Sequence, residues 1–494
     1  MASPSAQPFP TVSITEVDGV PVLWSEAITN PTFALQFRVG RASERPADGG
    51  ITHIVEHLVM ATLGDPRYEH NAFVDDTRTV FFASGLPSEV VGFAGAIGAA
   101  LDALPIDRLD RERQVLTREA DGRGQGATEV HAQFRFGFAG HGLVGTPEFG
   151  LVRSGAEDVQ AWATERFQRA DAVAFLTAAP PADLRLPLRD GTPHDVPAVT
   201  PEPTVRWPSH VRTGSGNGVG LGSLVRRRLG AASFVAILQR RLRGRLRLEH
   251  GLMYDVVADY TPLDAEWATA LVGGDCDDAH VQQVTDIALE ELDRLVRGEV
   301  SQGEIDEETE DYRRSMLDPT SLAGILDSMA FDRLVGMPWR SLEDRFEEQR
   351  TTTPADLAER ATEARQSLLL LADVDRHPDD LIPYPADAES AVDGREIKPV
   401  LSMFGLGFKQ RMIVGPEGVS IRHKDGTATV RFADCVALED PGKDGIVLWA
   451  RDTTRLWIPV DFWRGGEAVI DEIRAAVPAD IVVRGTFSHD YVDG

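Results

Sequence analysis

Along residues 32–39 every second side chain is large and apolar, which puts Phe33, Leu35, Phe37 and Val39 on one face, the two-residue period of a strand. Elsewhere the period lengthens. After Pro105, residues 106–119 are charged and free of proline, with Leu109 and Leu116 two turns apart, and predict an amphipathic helix. Residues 231–248 and 280–297 carry the same helical period. Between the two regions lies a join punctuated by Pro193, Pro197, Pro201, Pro203 and Pro208, where few contacts are expected to cross. A second linker is expected at 379–387. Beyond it, 412–414, 419–421, 428–432 and 445–449 are short strand-like runs between Gly, Pro and Asp turns. They are followed by Ile458-Pro459 and one helical stretch at 466–476. The pattern predicts an α+β chain of three units: mixed units at 10–195 and 209–388, and a small mainly-β unit at 400–494 capped by one helix.

Composition narrows the class. A chain of 494 residues, 42% hydrophobic, can bury several cores. Cys276 and Cys435 lie too far apart in sequence to suggest a disulfide framework or a cysteine metal site. A net charge of -28 argues against nucleic acid or anionic lipid as the main partner. No run approaches the roughly 20 apolar residues of a membrane span. Residues 1–8 lack the basic and apolar regions of a secretory signal, so a cytoplasmic enzyme is expected.

The candidate chemistry sits in His53-Ile54-Val55-Glu56-His57. Residues three and four apart share a helical face, so both imidazoles can grip one cation while Glu56 points at a bound water. This H-x-x-E-H order inverts the commoner H-E-x-x-H arrangement of zinc peptidases and is itself a known signature. The plain alternative is a surface helix that happens to carry two His and a Glu. A catalytic zinc wants a third protein ligand and one open position. Glu112 and Glu119, seven residues apart, share a face of the helix predicted at 106–119. Stacked carboxylates repel unless a cation or donor lies near, although either glutamate alone is ordinary helix surface.

Several segments together resemble the inverzincin metallopeptidases of the pitrilysin–insulinase type, nearest the mitochondrial-processing-peptidase branch and its bacterial relatives. Gly40-Arg41-Ala42-Ser43-Glu44 with Gly50-Ile51-Thr52-His53 looks like the family's lead-in to the metal helix. Asn71-Ala72-Phe73 and Thr79-Val80-Phe81-Phe82-Ala83 look like its substrate-flanking edge, and residues 140–147 like the loop that follows. Arg247 and Tyr254, seven apart, look like its R/Y element. The resemblance spans about residues 10–390. The stretch from His57 to Asn71 is shorter than the family's, so a differently shaped substrate wall is expected beside the metal site.

The resemblance implies two similar mixed α/β-sandwich domains and zinc held by His53, His57 and Glu119. It implies Glu112 behind the ligands, Glu56 as general base, and Asn71, Ala72 and Phe73 along an extended peptide. It also implies Arg247 and Tyr254 reaching the substrate from the second domain. Donors aimed at the developing carbonyl charge are worth roughly 3 kcal/mol each. A zinc endopeptidase acting as a homodimer, or as a heterodimer with a related subunit, is therefore expected. The competitors are a non-catalytic zinc-binding partner or scaffold subunit, and a zinc-stabilised binding module. The C-terminal unit resembles the small bacterial pleckstrin-homology-like domains by pattern alone. Lipid binding, peptide binding and simple packing stay open for it, and its ligand is unknown.

Overall fold

The alternating run at 32–39 becomes an inner strand of a six-stranded sheet in a computed structural model that describes residues 7–26, 31–122, 126–212, 214, 218–384, 390–400, 410–424 and 426–485. The first unit holds β1 (Ser13–Val17), β2 (Val20–Trp24), β3 (Thr32–Phe37), β4 (Glu69–Val74), β5 (Thr79–Ser84) and β6 (Ala172–Leu176), in the order β1-β2-β6-β3-β5-β4. Its helices are α1 (Ile51–Met60), α2 (Pro87–Asp102), α3 (Leu109–Gly122), α4 (Ala127–Phe136), the one-turn α5 (Gly150–Arg153) and α6 (Ala156–Arg166). Phe33, Leu35 and Phe37 pack with Ile54 and Leu58 of α1, Phe93 of α2, Leu116 of α3 and Val159 of α6.

The second unit holds β7 (Ser209–Val211), β8 (Gly218–Arg226), β9 (Val257–Pro262), β10 (Trp267–Asp275), β11 (Leu369–Ala372) and β12 (Ile382–Pro383), in the order β12-β7-β11-β8-β10-β9. Its helices are α7 (Ala231–Leu242), α8 (Val281–Val296), α9 (Gln302–Leu317), α10 (Leu322–Leu334), α11 (Leu342–Arg350) and α12 (Pro354–Gln366). The stretch read as one helix over 231–248 is α7 followed by a π-helical turn, Arg243–Glu249. Strands β7, β11, β8, β10 and β9 repeat the order and sense of β2, β6, β3, β5 and β4: one parallel pair, then three antiparallel ones. Two like sheets thus arise without a visible sequence repeat.

Each sheet is covered on its second face by a helix of the other unit. Leu322, Leu326, Met329 and Leu334 of α10 cover Leu23, Ala34, Val80 and Phe175 of the first sheet. Gln36, polar and between apolar neighbours on β3, is fully buried there and donates to Asp327 Oδ1 at 2.8 Å. In return, α4 lays Val130 and Phe134 on Val211, Leu369 and Leu371, and Ala132 and Phe136 on Leu224 and Leu263.

This exchange corrects two expectations. The proline-rich join does not run free of contacts, because α4 pins it: Trp207 lies under the Arg135 guanidinium at 4.4 Å, and Glu202 N–H donates to the Arg135 carbonyl at 2.7 Å. The linker expected at 379–387 contains β12, which pairs with β7; its last residues, 385–387, lie outside the described ones, as do residues 1–6 of the N-terminal stretch.

The third unit is mainly β, with strands β13 (Arg395–Ile397), β14 (Arg411–Gly415), β15 (Gly418–Arg422) and β16 (Thr427–Arg431) in one sheet. A second sheet holds β17 (Cys435–Asp440), β18 (Gly445–Ala450), β19 (Arg455–Pro459) and β20 (Val482–Arg484). Both enclose a core with Val469, Ile470 and Ile473 of α13 (Gly466–Ala476). No single helix among the described residues is long and apolar enough to cross a membrane.

Candidate metal centre

The helix that carries His53, Glu56 and His57 is started by its lead-in. Gly50, at φ 92°, takes the left-handed conformation that favours glycine. The buried Glu44 carboxylate accepts from the backbone N–H of Gly50 at 2.8 Å and of Thr52 at 2.9 Å. These are donors that the start of a helix leaves unsatisfied. Arg41 pairs with Glu44 at 3.2 Å.

From this start, α1 turns both imidazoles into one cavity. Glu56, 6% exposed, holds its Oε2 at 3.7 Å from His53 Nε2 and 3.8 Å from His57 Nε2. Glu119, on α3, brings Oε2 to 3.7 Å from His57 Nε2. The donor atoms of His53, His57 and Glu119 all lie within 4.8 Å of one another. Behind them each imidazole shows its other nitrogen to a carboxylate: His53 Nδ1 lies 3.0 Å from Glu148 Oε1, and His57 Nδ1 lies 3.8 Å from Glu112 Oε2. Two imidazoles backed by carboxylates and one further carboxylate make a donor set suited to zinc.

Electrostatics separate the roles. Burial pushes the Glu56 carboxyl up to about 7; His53 opposes the shift, while the negative Glu119 and Glu148 add to it. Burial alone would lower His53, yet the Glu148 carboxylate leaves it above the ordinary imidazole value. His57 is lowered, by burial and then by its neighbour His53.

The cavity, of about 600 Å³, is walled by Asn71, Ala72 and Phe73 on one side and by His141, Thr146 and Glu148 on another. Asn71, Ala72 and Phe73 sit on β4, the open edge of the first sheet. Thr261, Leu263 and Thr269 of the second unit close the wall. Arg247 and Tyr254 are not among the lining residues. They stack on each other at 5.3 Å, and Tyr254 is 86% exposed. Glu148 lies one residue beyond the loop expected at 140–147, and Arg41 of the lead-in pairs with it and with Glu44. His141, in the loop at 140–147, lies 2.9 Å from Asp76, and the second unit reaches the wall through Thr261, Leu263 and Thr269 instead of Arg247 and Tyr254.

Comparisons with known proteins support the α+β fold. The family profile described as "Peptidase M16 inactive domain" matches residues 225–310, which include Arg247 and Tyr254 but none of the donor set. No curated protein sequence matches the chain. A protease from Helicobacter pylori superposes with TM-score 0.58 at 15% identity, over 74% of this chain and 100% of that one. The first half of the periplasmic protease PqqL from Escherichia coli gives TM-score 0.58 at 14% identity, over 75% and 94% of the two chains. The peptidase M16 inactive domain from Pseudomonas fluorescens gives 0.58 at 15%, over 74% and 100%. The α+β fold is similar to that of these M16-like peptidases.

Proposed function

We propose that the chain is a zinc-dependent endopeptidase acting on extended peptides or unfolded segments, with Glu56 as general base. What supports this most is the donor set of His53, His57 and Glu119 beside Glu56, in a cavity bordered by an open strand edge. A zinc ion held by these three residues would polarise the scissile carbonyl and acidify a water. Glu56 Oε2, set beside both imidazoles at 3.7 and 3.8 Å, takes a proton from the attacking water and returns it to the leaving amine. A peptide adds as a strand to β4 along Asn71, Ala72 and Phe73, where backbone hydrogen bonds bind many sequences.

Arg247 and Tyr254 stand apart from the cavity of their own chain. In the proposed assembly two copies face each other, and the pair from one copy serves the site of the other. That a fold of this extent matches the first half of a longer protease supports such a two-half enclosure. The match to a profile described as inactive favours a second reading, a non-catalytic zinc-binding partner or scaffold subunit.

One experiment separates the readings: cleavage of a peptide library by the purified protein, with and without chelator, alongside Glu56→Gln. The peptidase reading expects chelator-sensitive cleavage in wild type. It expects Glu56→Gln to keep its metal and to lose turnover by roughly 10²–10⁴-fold. Cleavage that survives in Glu56→Gln refutes the base; metal uptake with no cleavage by wild type favours the scaffold.

A further inference from the structure

The carboxylate behind His53 comes from neither the metal helix nor α3. Glu148 belongs to the segment between α4 and α5, and places Oε1 at 3.0 Å and Oε2 at 3.3 Å from His53 Nδ1. Its carboxylate also pairs with Nη1 of the Arg41 guanidinium, whose Nη2 donates to the Leu143 carbonyl at 3.1 Å. A side chain at Gly50 would start 2.6 Å from the Glu148 Cβ, so the glycine that opens α1 also makes room for Glu148.

The segment carrying Glu148 is held from outside the first two units. The rings of Phe138 and Phe149, at its two ends, pack on Trp449 of β18 with centroids 5.2 and 5.3 Å away. Phe138 N–H donates to the Arg451 carbonyl at 2.7 Å. At Gly137, φ 72°, a Cβ would fall 2.2 Å from that carbonyl oxygen. Ala47, Ala437, Val447 and Val483 complete the same apolar contact. The third unit thus grips the chain on both sides of Glu148.

We infer that Glu148 is a positioning residue for His53 and that the C-terminal unit, through Trp449, holds it in place. In this arrangement His53 donates its Nδ1–H to Glu148, which fixes the tautomer and the ring plane and turns Nε2 into the cavity. Carboxylates in this relation to a ligating imidazole tune metal affinity without touching the metal.

The inference rests on the metal reading above, and the test keeps the two apart. Zinc affinity is measured by competition with a chromophoric chelator, and geometry by the visible absorption of the cobalt-loaded protein. The variants are Glu148→Ala, Glu148→Gln, Trp449→Ala and Trp449→Phe. Glu148→Ala is expected to weaken zinc binding roughly 10–100-fold and to shift the cobalt bands, in a metal-free protein that stays folded although Arg41 loses a partner. Glu148→Gln keeps an acceptor for Nδ1–H and recovers part of the loss; it also carries the test if the alanine variant does not fold. Trp449→Ala, assayed well below its melting point, is expected to weaken binding in the same direction, and Trp449→Phe to restore it. Wild-type affinity and spectrum in both Glu148 variants overturn the positioning role. Wild-type affinity in Trp449→Ala overturns the brace. If the wild-type protein takes up no zinc at all, the metal reading falls and this inference with it.

Discussion

Glu119 and Glu112 sit two turns apart on α3 in unlike surroundings. The Glu119 side chain is 41% exposed and faces His57 Nε2, whereas Glu112 is buried against Nδ1 and receives Arg108 at 3.4 Å. Glu119→Gln should therefore lower zinc occupancy, while Glu112→Gln should keep more metal and lose part of the activity. Metal analysis of the two purified variants checks this, and the opposite order would exchange their roles. A second prediction concerns His131, fully buried, whose Nε2 accepts from Arg135 Nε at 3.0 Å. Burial, then the Arg135 charge, holds this imidazole well below its ordinary value of 6.5. The unfolded chain binds a proton there below pH 6.5 and the folded one does not, so this contribution to stability is full above 6.5 and shrinks as pH falls. Between pH 7.5 and 5.5 the urea midpoint of wild type should drop more than that of His131→Gln. Parallel drops would acquit the histidine. The donors on one helix were legible in the sequence because a spacing of three and four is a local fact. Glu148 was not, since it meets His53 across 95 positions and nothing near either residue announces the contact.

Most elements follow their sequence periods, and the helix expected at 466–476 is α13 itself. What the periods could not convey is which element covers which. The polar Gln36 on β3 is buried because Asp327 arrives from α10, a partner from the other unit. The proline-rich join departs from its expected isolation for the same reason, because α4 crosses it. The exchanged helices make a prediction at this scale. Leu326 is fully buried between α10 and the first sheet, so Leu326→Ala should cost about 2–5 kcal/mol. The loss should reach both units together. Urea unfolding followed by a probe in each unit should give coincident transitions at a lower midpoint; a transition confined to the second unit would show that α10 does not couple them.

For the molecule as a whole, the separation of Arg247 and Tyr254 from their own cavity yields a test of assembly. Neither Glu56→Gln nor Arg247→Ala should be active alone. Co-expressed, they should recover activity, since one face of a mixed dimer unites an intact Glu56 with an intact Arg247. Verified mixed dimers without rescue, or a fully active monomer, would end the two-copy arrangement. The exchange of covering helices also sets an order of events at the ribosome. The last strand of the first sheet, β6, is complete at Leu176, but the helix that covers its back face ends at Leu334. At synthesis rates of about 5–20 residues per second, the roughly 150 residues between them take on the order of ten to thirty seconds. If the first sheet forms as its strands emerge, Leu23, Ala34, Val80 and Phe175 stay uncovered until α10 follows, the kind of apolar surface that chaperones bind.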